Sequence, residues 1–365
     1  MVVMRSAGGL LRVMCGLTNA REPRIFGFMA KQEFSIPKIA DRVRTEADAY
    51  LMLEELRWGG APTACPKCGG MDRCHYIAPK NGTDRKTRTG SASQRRVWFC
   101  GHCRKQFSVL TGTIFHGTRI PVRTWLLVMF DFCAAKNSIS AWEISRRYEI
   151  TNESAWHMLH RIREAMKREP LAGLLTGAIV SDETWYGGKP KNRHRSHAGR
   201  SGFTDKQPIV SLIHKESGEV RSVAVPTVNG ENLTAILREN VDIPASVLHT
   251  DAAQIYRTIG MPFSDHQSVS HADGEYVRDG VSTNTAEGFF SQLKRSLDGT
   301  QHHVSVEHLP RYLSEFDFRY STRKMDDSER MRLMIGRTDG RRLPYAPLTA
   351  DGPVRVPPHV VDACM

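Results

Sequence analysis

Gly177-Ala178-Ile179-Val180-Ser181-Asp182 is a short apolar run that ends on a carboxylate. Such a run reads as a buried strand. A carboxylate at the end of a buried strand is costly unless it is paired or holds a metal. The same pattern returns at Ser246–Thr250, a strand that ends on Asp251 in Leu248-His249-Thr250-Asp251. Between the two, Pro208–His214 and Val220–Val225 read as a hairpin closed through Glu216-Ser217-Gly218-Glu219. Residues 229–240 read as a helix turned by Asn229-Gly230, with Leu233, Ile236 and Leu237 sharing a face. A short helix (252–259), a strand near 267–271 and a long helical pattern from about 284 to 324 follow. Strands first, then strands mixed with helices, predict an α/β or α+β layer architecture.

A third carboxylate, Glu287, lies on the helix that starts near Thr283-Asn284-Thr285-Ala286. Two strand ends and one helix can bring three carboxylates into an oxygen-rich site of the kind Mg²⁺ prefers, the ion keeping waters and substrate phosphates as its other ligands. Two such ions, roughly 3.5–4 Å apart, suit phosphodiester chemistry. Taken singly, each residue has a plainer reading: an Asp at a strand end forms turns, and a Glu on a helix faces solvent. Glu183 follows Asp182 directly, so on a strand it points to the other face and falls outside the expected site.

Upstream, Cys65-Pro66-Lys67-Cys68 and Cys100-Gly101-His102-Cys103 are two Cys-x-x-Cys pairs among eight cysteines. Four thiolates at this paired spacing can close a tetrahedron around Zn²⁺, so a structural zinc ribbon is expected. The 31 residues between the pairs read as ribbon strands with a basic insertion from Lys80 to Arg96. Cys74 and His75 lie close enough in sequence to compete as ligands. In a chain without an export signal, this cysteine usage points to metal binding in a reducing compartment and not to a disulfide framework.

Between the ribbon and the strands the pattern is helical. Residues 34–58 read as helix, Trp125-Leu126-Leu127-Val128-Met129-Phe130 as a buried helix, and 139–147 and 153–168 as two amphipathic helices around Glu149-Ile150-Thr151-Asn152. Ile144 faces the core from the first of that pair; Trp156, Leu159 and Ile162 do so from the second, which Thr151 or Asn152 can cap. That arrangement sets His157, His160, Arg161 and Arg163 on outer faces, as in a helix-turn-helix with its second helix in a major groove. A plain helical hairpin is the competing reading.

The chain has 365 residues, a hydrophobic fraction of 40% and a net charge of +12. The length calls for two or three domains, and the charge favours a polyanionic partner. No run reaches the roughly 20 apolar residues of a membrane span. Arg5, Arg12 and Arg21 break the N-terminal apolar stretch, which argues against a secretory signal, and Met29-Ala30-Lys31 reads as a more ordinary start. We divide the chain into an N-terminal tail with the start of a helix (1–45), a zinc ribbon (46–118), a helical DNA-binding segment (119–170), the α/β domain (171–325) and a C-terminal tail (326–365).

With 35 residues between Asp251 and Glu287, and Lys294 seven further on, the spacing resembles that of DDE transposases and retroviral integrases. The wording resembles insertion-sequence transposases with a transposase zinc ribbon and an ISXO-like catalytic domain. The cysteine pairs carry the resemblance, with Gln106-Phe107-Ser108, Thr111-Gly112-Thr113-Ile114-Phe115, Asp182-Glu183-Thr184-Trp185-Tyr186-Gly187-Gly188-Lys189 and His249-Thr250-Asp251. Ser282-Thr283-Asn284-Thr285-Ala286-Glu287-Gly288-Phe289-Phe290-Ser291-Gln292-Leu293-Lys294-Arg295 extends it, and it runs from about 50 to 325. It implies an RNase-H-like mixed sheet flanked by helices, with Asp182, Asp251 and Glu287 as the metal-binding triad for Mg²⁺ or Mn²⁺. Asn284 is the alternative third ligand, and Lys294 and Arg295 are DNA contacts. It further implies metal-dependent cleavage at terminal inverted repeats, transfer of the freed 3′-hydroxyls to target DNA, a homodimer or larger active complex, and a bacterial cytoplasmic location. Two rival readings are a zinc-ribbon and helix-turn-helix regulator without catalysis, and a stand-alone nuclease of the same fold.

Overall fold

A computed structural model describes residues 33–78, 85–86, 92–168, 172–187, 206–251, 253–269 and 284–349. The chain starts with α1 (Ile36–Arg42) and α2 (Glu46–Trp58). Thr45 caps α2 by accepting from the Asp48 amide while the Asp48 carboxylate accepts from the Thr45 amide, a reciprocal pair that fixes the helix start. The ribbon follows: β1 (Cys74–Tyr76), β2 (Arg85–Lys86), β3 (Ala92–Ser93), β4 (Trp98–Cys100) and β5 (Gln106–Phe107). Strands β1, β4 and β5 form one antiparallel sheet, and β2 pairs β3 within the inter-cysteine insertion.

Helices α3 (Val122–Ala134), α4 (Ala141–Tyr148) and α5 (Asn152–Met166) come next. Thr151 caps α5 through the Ser154 amide, and Ser140 caps α4 through that of Glu143. Ile144, Leu159 and Ile162 are buried, as their spacing predicts.

The α/β part comprises β6 (Leu175–Tyr186), β7 (Gln207–His214), β8 (Val220–Ala224), α6 (Gly230–Asn240), β9 (Val241–Asp251), α7 (Ile255–Ile259), β10 (Asp265–Val269), α8 (Asn284–Gly299) and α9 (Leu309–Ser321). The strand order is β10-β9-β6-β7-β8. Strands β6, β7 and β8 form an antiparallel meander, while β9 runs parallel to β6 and β10 parallel to β9. This is the RNase-H-like arrangement. The turn of the β7–β8 hairpin places Gly218 at φ 73°, which glycine adopts without steric penalty. One sheet face packs Val180, Ile209 and Ile213 against α8 and α9; the other packs Ile179, Val210, Leu212 and Leu248 against α6 and α7. The outer edge of β8 is closed by α9, whose Asp317 and Ser321 accept from the Ser222 and Val220 amides, so the edge is protected from strand addition.

Four expectations need correction. The strand expected to end on Asp182 runs on to Tyr186, because residues 183–186 keep pairing with β7. The helical stretch 34–58 is two helices, because the chain is extended at Thr45, which caps α2. The helical pattern from 284 to 324 is two helices, because α8 stops at Gly299 and residues 300–308 turn before α9 starts with Pro310 in its first turn. Residues 326–349 are not a tail. They form α10 (Asp327–Gly336) and α11 (Ala346–Thr349). Met331, Met334 and Ile335 of α10 enter the same core as α2, α3 and α5, and the Asp339 carboxylate accepts from the Arg57 guanidinium. The rest of the expected tail, 350–365, and the first 32 residues lie outside the described residues, as does most of the basic insertion.

Candidate functional site

The parallel register of β6 and β9 aligns Val180 with His249. Asp182 and Asp251, each two residues further on, therefore come level, Asp182 within β6 and Asp251 at the end of β9. Side chains two apart share a sheet face, so Asp182 lies on the face of Val180, which is the face that α8 covers. Helix α8 seats Ala286, Phe289, Phe290 and Leu293 on that face. Its outward stripe carries Asn284, Glu287, Ser291, Lys294 and Arg295, all exposed. Successive steps of three and four residues keep Asn284, Glu287, Ser291 and Lys294 on one side of the helix.

Asp182 and Asp251 are half-buried. Each carboxylate is held by a nearby amide: Asp182 Oδ1 accepts from the Glu183 amide at 2.8 Å within β6, and Asp251 Oδ1 from the Ala253 amide at 3.1 Å just past β9. Glu183 lies on the opposite face, as strand alternation predicts, and takes a hydrogen bond from the Tyr256 hydroxyl, which also meets Ser181 Oγ at 3.0 Å. Burial pushes the Glu183 carboxyl up to about 7, the Tyr256 hydrogen bond opposes that shift, and the charges of Asp182 and Asp251 add to it. Acidic groups are thus concentrated where β6 passes the end of β9, which is the electrostatic condition that a divalent cation relieves. The sequence reading left Glu183 out; its strand face was legible, but Tyr256 as its anchor was not. Burial also lowers the imidazole of His249, beside the site.

The four ribbon cysteines converge. Cys65, Cys68, Cys100 and Cys103 have sulfur atoms that all lie within 4.8 Å of one another. The Cys65–Cys103 and Cys68–Cys100 separations are 3.8 and 3.7 Å. A tetrahedron of thiolates each about 2.3 Å from zinc has edges of about 3.8 Å, so the donor set fits that ion. The backbone N–H of Cys103, with that of His102, lowers the Cys100 thiol to about 6. Cys74 pairs in register with Cys100 across β1–β4 and stands outside the group. Among the described residues the three carboxylates do not form a group of that tightness.

The expected DNA-facing set on α5 is not outward. His160 is wholly buried against the rings of Trp156, His308 and Tyr312, and neither ring nitrogen has a hydrogen-bond partner among the described residues. Burial lowers its basicity strongly. The Arg161 guanidinium donates to the His116 carbonyl at 2.7 Å and lies over Trp125. Arg163 donates to Glu315 at 2.7 Å and stacks on Tyr312. His157 donates from Nε2 to the Leu343 carbonyl at 3.1 Å. Helix α5 is a central strut, because its polar residues find partners on α9, on the 341–345 segment and, for Arg161, on His116 and Trp125.

The chain matches the family model of the ISXO2-like transposase domain over residues 174–321 and that of the transposase zinc-ribbon domain over 44–106. It is 22% identical, over 302 residues, to an uncharacterized protein in transposable element ISH50 of Halobacterium salinarum, covering 80% of this chain and 96% of that one. Among solved structures it resembles a chain of a simian T-cell lymphotropic virus intasome in complex with PP2A regulatory subunit B56 gamma (TM-score 0.26, 11% identity, 51% of this chain and 64% of that one). It also resembles the HTLV-2 integrase catalytic core domain in complex with magnesium (TM-score 0.24, 12% identity, 39% of this chain and 84% of that one). The RNase-H-like fold follows from the strand order and directions alone. The two domain matches coincide with the cysteine tetrahedron and with the sheet whose neighbouring strands β6 and β9 carry Asp182 and Asp251: the chain carries a transposase zinc ribbon followed by an ISXO2-like transposase domain, and is a DNA transposase of the DDE class.

Proposed function

We propose that this transposase cuts DNA at the terminal inverted repeats of its own element and joins the freed 3′-hydroxyls to target DNA, with Asp182, Asp251 and Glu287 as the acidic triad. The observation that carries the reading is the β6–β9 register, which brings Asp182 level with Asp251 on one sheet face, the face on which α8, the helix that bears Glu287, packs over β6. Oxygen donors of this kind suit Mg²⁺ or Mn²⁺. When bound, two such ions supply charge neutralisation at the attacking and leaving oxygens of an in-line displacement. The chain's own residues hold the reacting phosphate in position. Asp182 and Asp251 are fixed by the strands and by their bonds to the Glu183 and Ala253 amides. Glu287, exposed on α8, completes the ligand set from the helix, with Asn284 one turn earlier as the alternative donor. Lys294 and Arg295 offer their charges to the phosphates of the bound strand.

In this reading Cys65, Cys68, Cys100 and Cys103 hold a structural Zn²⁺ that closes the ribbon, and the reaction on two element ends calls for a homodimer or larger assembly. Asp251→Asn tests the triad. Strand cleavage and strand transfer on labelled element ends are expected to vanish while binding of those ends persists. Retained cleavage in this variant refutes the assignment. Cleavage without joining in the wild type makes the protein a nuclease of the same fold, and specific binding with neither makes it a regulator.

A further inference from the structure

We infer that duplex DNA flanking the cut runs along the outer stripe of α8 onto Lys136 and the exposed face of α4, so that the first helix of the α4–α5 pair, and not the second, meets DNA. The inference rests on the proposed reaction. Helix α5 offers no free cation to a groove, since His160, Arg161 and Arg163 are each under 10% exposed and packed or bonded inside, and half-buried His157 is bonded to the Leu343 carbonyl. Helix α4 differs. Trp142 is 66% exposed, and Arg146 is exposed one turn later.

The two surfaces are joined. Gln292 of α8 donates from Nε2 to the Lys136 carbonyl at 3.4 Å. Gln301, just past α8, donates to Ser138 Oγ at 3.0 Å and to the Ile139 carbonyl at 3.3 Å. Those contacts seat the segment that leads into α4 beside the end of α8. From Glu287, Gln292 is five residues and Arg295 eight residues along the helix, about 7.5 and 12 Å at 1.5 Å per residue. That corresponds to about two to four base pairs from the reacting phosphate at 3.4 Å per step. Lys294, Arg295, exposed Lys136 and Arg146 thus line a path of positive charge that leads away from the triad. The acids beside it, Asp131 and Glu143, are closed by Arg147 at 2.6 and 2.5 Å, which leaves Arg146 to act on phosphate. Asp298 on α8 and Glu149, just past the end of α4, are the remaining exposed acids there beyond the triad. The occupant that matches a cationic band continuous with a phosphodiester site is the DNA itself, with the Trp142 indole against a sugar or base step.

The test uses the full chain and a fluorescein-labelled 40-base-pair duplex carrying an element end, titrated between 50 and 200 mM salt. K136E/R146E is expected to weaken binding at least tenfold and to lower the slope of log K against log salt by about 1.8, two phosphate contacts at about 0.9 each. W142A is expected to weaken binding without changing that slope. K38E/R44E, the same charge reversal on and just after α1, is the control and is expected to bind as the wild type does. Unchanged affinity in K136E/R146E, or an equal loss in K38E/R44E, overturns the inference while leaving the transposase reading intact. Absence of DNA binding by the wild type overturns both.

Discussion

Glu315 lies wholly buried between Arg163 of α5 and Arg319 of α9, accepting at 2.7 and 2.8 Å. Glu315→Gln keeps the shape and removes the negative charge. Arg319 retains the Phe132 and Ala135 carbonyls at 2.7 and 2.5 Å. Arg163 keeps only ring contacts with Phe132 and Tyr312, and its Nη2 already has no hydrogen-bond partner. The substitution therefore strands one guanidinium in the joint between helical and catalytic parts. Breaking a buried pair in this way costs about 3–5 kcal/mol. At about 2–3 °C per kcal/mol for a folded unit of this size, the melting temperature drops on the order of 6–15 °C. Adding Arg163→Met removes the stranded charge and is expected to recover on the order of 1 kcal/mol. The pH dependence has a definite sign. Burial pushes the Glu315 carboxyl up, but Arg163 and Arg319 overcome it and hold the group below its ordinary value. Its contribution is present above the unfolded glutamate range, about 4.3, and is lost as pH falls through the folded value, so wild type and E315Q converge in acid. Urea unfolding of both at pH 7 and in acid measures this. A loss under about 1 kcal/mol at pH 7 refutes the strut assignment of α5.

Cys68→Ser is expected to abolish stoichiometric zinc in the purified protein, measured by elemental analysis, and to loosen the ribbon while the sheet domain keeps its melting transition. Retention of one zinc per chain contradicts the four-cysteine assignment. Tyr256→Phe removes the hydroxyl shared by Glu183 and Ser181 and is expected to lower stability by about 1–3 kcal/mol, because two buried polar groups lose a partner. Equal denaturant midpoints would show that water replaces it. Met334→Ala, in the helix that the sequence reading took for a tail, is expected to cost about 2–5 kcal/mol. A neutral result in thermal melts would return residues 326–349 to tail status.

Much of the catalytic layer was legible because its signals are local. Asp182 and Asp251 each close an apolar run, and strand alternation put Glu183 on the other face before the register was known. The Cys-x-x-Cys pairs carried their own geometry, and Thr151 announced the start of α5. The misreading of α5 has one physical cause. His160, Arg161 and Arg163 read as outward because Trp156, Leu159 and Ile162 supplied one apolar face, and nothing nearby in the chain supplies a second. The partners of His160 and Arg163, namely His308, Tyr312 and Glu315, come from about 150 residues later, and those of Arg161, His116 and Trp125, from 45 and 36 residues earlier, and no local period reports them. The α10 error is different: Met331, Met334 and Ile335 repeat at helical spacing, but the charges around them in Asp326-Asp327-Ser328-Glu329-Arg330 hid a stripe that was there to be read.

The same burial changes what the net charge of +12 means. Arg161, Arg163, Arg221, Arg311 and Arg319 are all less than 10% exposed. Arg161, Arg221 and Arg319 donate to backbone carbonyls, while Arg163 and Arg319 share Glu315. A planar guanidinium can serve several such acceptors at once, which a lysine cannot. These charges bind the chain to itself and have little to offer a phosphate. Affinity for DNA must then come from cations that remain outside, and it is their placement that matters. Exposed Lys136, Arg146, Lys294 and Arg295 fall on one continuous path from Glu287, whereas the arginines that a composition argument also counts lie behind it. A salt-dependence measurement on this protein should therefore report far fewer phosphate contacts than its basic residues would suggest.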